Sequence, residues 1–151
     1  FEIRNSKFEI EVYTTRPDTI FGVDFMVVAP ELDLVQQIKT TDQTSEVDKY
    51  IAYVKSRSER ERMADVKTIS GVFTGAYAHH PFTKQPIQIW IGDYVLAGYG
   101  TGAVMAVPCG DQRDYDFAKK YNKEIINIFK KLIQVGAAPN GTRIRNFFRV
   151  P

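Results

Sequence analysis

The chain has a single cysteine, Cys109, and only two histidines, His79 and His80, among 151 residues. One thiol excludes an intramolecular disulfide and a cysteine-rich zinc site, and it fits a reducing cytosol. The histidines are adjacent and precede Pro81. With no third histidine and no cysteine pair to complete a ligand set, we expect no metal, and the pair reads as a surface turn. They also lie far from any nucleophile motif, so no Ser-His-Asp triad assembles. No apolar run approaches the ~20 residues of a membrane span. The chain begins Phe1-Glu2-Ile3-Arg4, without an initiator Met or a basic-then-apolar leader. We therefore expect a piece of a longer protein that acts in the cytoplasm.

Charge of one sign is also scarce. The net charge is +2, too small to mark a nucleic-acid binder by itself. Residues 130–151 hold Lys130, Lys131, Arg143, Arg145 and Arg149 with no acid, which leaves residues 1–129 at −3. Any RNA contact by the main body must then be local. What is present is the balance of one soluble globular domain, 44% hydrophobic and 25% charged.

Phe8, Ile10 and Val12 alternate with Glu9, Glu11 and Tyr13, which predicts a half-buried strand. Val23 to Ala29 is largely apolar and reads as a central strand. Pro30 opens a short helix, Glu31 to Ile38. A helix is expected from about Glu46 to Met63, where Val47, Tyr50, Ile51 and Val54 recur at helical spacing. Its second half, Lys55 to Arg62, reads as a solvated charged face with Glu–Arg pairs, or else as an arginine-rich RNA contact. Strands follow at Val72–Ala78 and Ile87–Ile91. Gly92-Asp93 is a turn, after which Tyr94-Val95-Leu96 resumes a strand pattern. Gly98 to Gly102 is a turn, Ala103 to Val107 a strand, Asp111 an N-cap for a helix to Tyr121, and Ile125 to Phe129 a last strand. Without a regular strand–helix alternation, the class is α+β.

Two segments combine reactive groups at strand ends. Thr14-Thr15-Arg16-Pro17-Asp18-Thr19 gathers three hydroxyls, a guanidinium and a carboxylate, yet a helix entry accounts for the same residues. Asp111-Gln112-Arg113-Asp114 combines a cap with an acid at the third helical position, a complete structural reading by itself. The run Gly98-Tyr99-Gly100-Thr101-Gly102 lacks the Lys-Ser/Thr of a phosphate loop, and a strand follows it rather than a helix.

Thr14 to Gly22, Gly98 to Pro108 and Asp111 to Asp114, in this order and spacing, resemble the editing domain of bacterial-type leucyl-tRNA synthetase, the insertion called connective peptide 1. Arg60 to Ala78, with Met63-Ala64-Asp65-Val66-Lys67, is similar as well, and the likeness covers about residues 1–129. Related valyl and isoleucyl domains share the fold, but Arg-Pro-Asp-Thr and Ala-Val-Met-Ala-Val-Pro point to the leucyl branch. Gly110 stands where many members carry His, and Cys109 replaces a commoner small residue. Residues 130–151 do not match the expected continuation and are set apart as an atypical tail of foreign or rearranged origin.

The resemblance implies a distorted β-barrel flanked by helices. It implies hydrolysis of the ester between a wrong amino acid (norvaline, isoleucine or methionine) and the 3′ end of tRNA(Leu), with leucyl-tRNA spared. The partners are that 3′ end and the rest of the parent synthetase, with no membrane. Editing needs no cofactor, whereas the parent uses ATP and magnesium; activation motifs are absent, so this chain should not charge tRNA. Thr14, Thr15 and Asp114 are the catalytic candidates, and Arg16, Asp18, Thr19, Tyr99, Met105, Val107, Asp111 and Arg113 the substrate-binding ones. Arg16 either meets the tRNA terminus or braces Asp18. Ordinary core packing accounts equally well for Met105 and Val107.

An aminoacyl ester is already activated, so a positioned water and oxyanion stabilisation suffice. Asp114 is expected to be an ionised anchor for the α-ammonium, since a reference Asp pKa of ~3.9 is too low for a base. Thr14 and Thr15 reach one pocket only if the strand ends by Thr14 and the backbone bends before Pro17. Thr19 is expected to obstruct leucine, because attraction alone separates one methylene by only ~1–3 kcal/mol. A non-catalytic RNA-docking insertion, an inert truncated domain and a generic esterase remain alternatives.

Overall fold

Four consecutive apolar residues, Phe25 to Val28, are fully buried. A strand can bury every residue only if both faces are covered, and the fold is arranged around that requirement. The computed structural model describes residues 1–64 and 69–128. In chain order its regular elements are β1 (Glu2–Ile3), a 3-10 helix (Pro17–Gly22), β2 (Phe25–Val28), α1 (Asp33–Ile38), a 3-10 turn (Thr41–Gln43), α2 (Thr44–Lys55), α3 (Glu59–Ala64), β3 (Gly71–His79), β4 (Pro86–Gly92), β5 (Ala103–Ala106) and α4 (Gln112–Lys120). The sheet order is β1-β3-β4-β2-β5. β2 runs parallel to β4 and antiparallel to β5. The result is a mixed, half-barrel five-stranded sheet with helices, within the expected α+β class.

Alternation assigns the two faces. Met26 and Val28 join Ile89, Ile91, Val35, Ile38, Val47 and Ile51 in one core, beneath α1 and α2. Phe25 and Val27 join Trp90, Phe117 and Ala118 in the other, beneath α4. There Phe25 and Phe117 stack at 5.1 Å, and Trp90 meets Phe117 edge-on at 5.4 Å.

Several expectations change. Phe8 to Tyr13 keeps its alternating burial but makes only one ladder bridge, Glu2 to Glu9. Its backbone instead bonds to the chain start, Ile10 N–H donating to the Phe1 carbonyl at 2.7 Å. The helix expected over Glu46–Met63 is two helices. Ser58 begins a new one with a capping box: its Oγ accepts from Glu61 N–H (3.2 Å), and the Glu61 carboxylate accepts from Ser58 N–H (2.7 Å). Arg62 does not belong to a solvated face; it is buried. Tyr94 to Leu96 forms no strand, because the Asp93 and Val95 carbonyls accept from Arg62.

His80 is likewise buried rather than at the surface. Its Nδ1 accepts from Phe82 and Thr83 N–H, which puts the proton on Nε2, donating to the Ile20 carbonyl at 2.9 Å. Ile125 to Ile128 contains no strand. Phe129, the motif residues Asp65, Val66 and Lys67, and the segment 130–151 lie outside the described residues.

Gly75 marks where β3 breaks register with β4, between Phe73 and Tyr77. It has φ +82°, and a Cβ there would lie 2.0 Å from Thr40 Oγ1. Gly75→Ala therefore combines left-handed strain with a clash. We expect a loss of about 2 kcal/mol in chemical denaturation.

Candidate active site

The segment leading into the 3-10 helix Pro17–Gly22 and the β5–α4 connection both line a cavity of about 610 Å³. Thr14, Thr15, Arg16 and Thr19 line it from the first motif, Tyr99, Met105 and Val107 from the second, and Asp111, Arg113 and Asp114 from the third. Ten of the eleven residues singled out in the sequence therefore share one cavity. Asp18 is the exception: it is exposed and outside the lining, clamped by Arg16 through Nε–Oδ1 (2.9 Å) and Nη2–Oδ2 (2.8 Å). Arg16 thus braces Asp18 while lining the cavity. This clamp holds the Asp18 carboxyl below the usual range.

The backbone bends at Thr15, which brings adjacent threonines to one cavity. Thr14 Oγ1 accepts from Arg16 N–H at 3.0 Å, so its own proton stays available to donate. Among the described residues, Thr15 Oγ1 has no hydrogen-bond partner. Thr19 is buried and its hydroxyl donates to the Arg16 carbonyl at 2.8 Å, closing the turn that begins the 3-10 helix.

Asp111 caps α4: one of its oxygens accepts from Arg113 N–H (2.9 Å) and Asp114 N–H (3.0 Å). Asp114 then turns inward and is buried. Its Oδ2 accepts from Val107 N–H at 2.8 Å and its Oδ1 from the Tyr94 hydroxyl at 3.2 Å. Burial raises the Asp114 pKa to about 7, helped by the Asp111 carboxylate and opposed by Val107 N–H, Tyr94 and Arg113. The expectation of a fully ionised anchor is corrected accordingly. A helix N-terminus favours the anion, but here the loss of water outweighs it.

Sequence reading did not find Tyr13, Met63, Tyr94, Leu96 or Val104, which also line the cavity. Tyr13 and Tyr99 are both largely exposed there, at 61% and 73%. The position before Asp111 is open: a Cβ on Gly110 would meet only Val107, at 3.7 Å. Cys109 packs against the core beside it.

Comparison with known proteins places this cavity in an editing domain of the aminoacyl-tRNA synthetase class. A family model described as leucyl-tRNA synthetase, editing domain, matches residues 1–141. The chain belongs to that family. It is 65% identical over 149 residues to the leucine–tRNA ligase of Christiangramia forsetii, covering 97% of this chain and 16% of that enzyme. It is 62% identical over 148 residues to the ligase of Flavobacterium johnsoniae, covering 95% and 15%. Both relatives and the family model extend past residue 129, into the segment set apart in the sequence analysis. Among solved structures, the ternary complex of Agrobacterium radiobacter K84 agnB2 LeuRS-tRNA-LeuAMS aligns with TM-score 0.73 and 29% identity, over 84% of this chain and 15% of that one. The chain thus spans about a sixth of the length of the relatives it matches.

The raised Asp114 pKa has a consequence for stability. Folding favours the protonated form, so the contribution of this group is largest below pH ~4. It falls as pH rises from ~4 to about 7, then stays constant. Asp114→Asn removes this slope while retaining an acceptor for Val107 N–H. Denaturation of both proteins from pH 4 to 8 should show the wild type losing stability relative to the variant across that window.

Proposed function

We propose that the chain hydrolyses the ester linking a wrong amino acid to the 3′-terminal adenosine of tRNA(Leu), and spares leucyl-tRNA(Leu). The observation that carries this reading is the convergence of Thr14, Thr15 and Asp114 on one cavity that Thr19, Met105 and Val107 also line. In the reaction, a water oxygen attacks the ester carbonyl. The tetrahedral oxyanion accepts hydrogen bonds from a threonine hydroxyl or a nearby N–H, the acyl C–O bond breaks, and a proton passes to the departing adenosine oxygen. The products are the free amino acid and a tRNA with its terminal hydroxyl restored. Because the ester is already activated, we propose that no cofactor takes part and that a chelator leaves hydrolysis unchanged. ATP and magnesium serve aminoacylation in the parent synthetase, which this chain does not perform. Its place of work is the cytoplasm, and its partners are the tRNA 3′ end and the rest of the synthetase.

Asp114 holds the α-ammonium of the aminoacyl group as a charge-assisted partner. An arriving cation favours the ionised carboxylate and draws its pKa below about 7. In the free protein, kcat/KM should therefore rise with pH through about 7. Asp114→Asn, which retains the shape without the charge, should lose most activity. Asp114→Ala is a poorer probe, since it leaves the Val107 N–H buried and unpaired at a cost of about 1–3 kcal/mol.

Selectivity is assigned to Thr19, whose side chain takes up space that leucine would need. The decisive measurement is release of amino acid from isoleucyl-tRNA(Leu) and leucyl-tRNA(Leu) by the chain and its Thr19 variants. The wild type should deacylate the first and leave the second. Thr19→Ala should attack both, at a stability cost of about 1 kcal/mol for the lost bond to Arg16. Thr19→Val, which restores the bulk, should again spare leucine. Wild-type release no faster than spontaneous hydrolysis would overturn the reading, and unchanged preference in Thr19→Ala would remove Thr19 from the sieve.

A further inference from the structure

Tyr94 falls in a stretch that forms neither strand nor helix, yet its position is held from several directions. The Arg62 guanidinium donates through Nε to the Asp93 carbonyl and through Nη2 to the Val95 carbonyl, both at 2.8 Å. The carbonyls of the residues before and after Tyr94 are thus tied to one buried side chain, which is itself paired with Glu31. Asp93 adds a second tie: its oxygens accept from Ser70 N–H (2.9 Å) and Ser70 Oγ (2.8 Å), and its N–H donates to Tyr50 Oη (3.0 Å). The Tyr94 ring packs on Phe117 at 5.8 Å between centroids. A Cβ on Gly92 would come within 3.1 Å of Tyr94 Cε1, so glycine leaves the ring its room. From this seat the hydroxyl reaches Asp114 Oδ1 at 3.2 Å.

We propose that Tyr94 is a positioning residue for Asp114: Arg62 holds the carbonyls of its two neighbours, Asp93 and Val95, and its phenol holds the carboxylate in one orientation toward the cavity. The inference rests on the function proposed above, and it assigns a task to two residues outside both sequence motifs. The Val107 N–H secures one carboxylate oxygen and the Tyr94 hydroxyl the other, so the plane of the carboxylate is set before a substrate arrives. A free rotor would have to be ordered on binding, at an entropic cost that a held carboxylate avoids. Burial and the carboxylates of Asp114, Asp111 and Asp93 keep the phenol protonated, so it remains a donor. The charged groups around the pair are Asp111 at the cap of α4, Arg113 on α4, Asp93 and Arg62 on the Tyr94 side, and Arg16 in the cavity lining.

The test is Tyr94→Phe, which removes one oxygen, read in two ways on the whole chain. The first is titration of the Asp114 carboxyl carbon by NMR, which needs no activity. The second is the pH profile of kcat/KM on isoleucyl-tRNA(Leu). Losing a donor to the anion should raise the Asp114 midpoint by about one pH unit and move the profile with it, a loss of about fivefold at pH 7. Tyr121→Phe is the control. It removes the hydroxyl that accepts from Gly71 N–H in the same aromatic cluster and should leave the Asp114 midpoint in place. An unchanged midpoint in folded Tyr94→Phe overturns the proposal even if deacylation stands. A wild type without deacylase activity overturns the function, and the carboxyl titration still decides whether Tyr94 holds Asp114.

Discussion

The hydrogen bond from Val107 N–H to Asp114 Oδ2 joins two elements that the site cannot do without. It ties the chain leaving β5 to the first turn of α4, across a tight connection in which Gly110 N–H and Asp111 N–H both return to the Val107 carbonyl. The apolar wall at Met105 and Val107 and the acid of the site are therefore parts of one short structure. Moving α4 moves both. Its buried face is held by Phe117 against Phe25, Trp90 and Tyr121, so the aromatic core on one side of β2 sets where the carboxylate lies.

That coupling also explains the electrostatics. A carboxylate at a helix start is ordinarily stabilised as an anion. Asp114 is removed from water far enough that this advantage is outweighed, and Asp111, one turn earlier, adds like charge. The cavity therefore holds an acid whose pKa lies near neutrality. Arg16, which lines the same cavity, is engaged by Asp18 outside the lining.

Local signals were legible in the sequence. Asp111 caps α4 as its position predicts; the apolar run around Phe25–Val28 is an interior strand of the sheet, paired on both sides; the break in pattern at Thr15 is a bend. The two motifs also lead to one cavity, because one precedes β2 and the other follows β5, its neighbour in the sheet. What was not legible depends on partners distant in the chain. Arg62 sits among Arg60, Glu59 and Glu61 and looks solvated, but its acceptors are the carbonyls of residues 93 and 95. His80 looks like half of a surface pair until the Ile20 carbonyl reaches its ring. Tyr94 had a strand-like neighbourhood whose carbonyls were claimed from elsewhere. The ionisation of Asp114 was misjudged for the same reason: its desolvation comes from the fold around it and not from the helix it begins.

The position of β2 in the sheet bears on how the chain reaches this state. β2 is the second strand in sequence but lies between β4 and β5, so its ladder partners are residues 88–91 and 103–106. Emerging from a ribosome, the most apolar strand of the domain has neither neighbour until the site-bearing segment has been made. Loop closure over such separations is slow, and an unpaired apolar strand is open to wrong pairings meanwhile. The cavity and the folded core are therefore completed together by the same stretch of chain, residues 86–114.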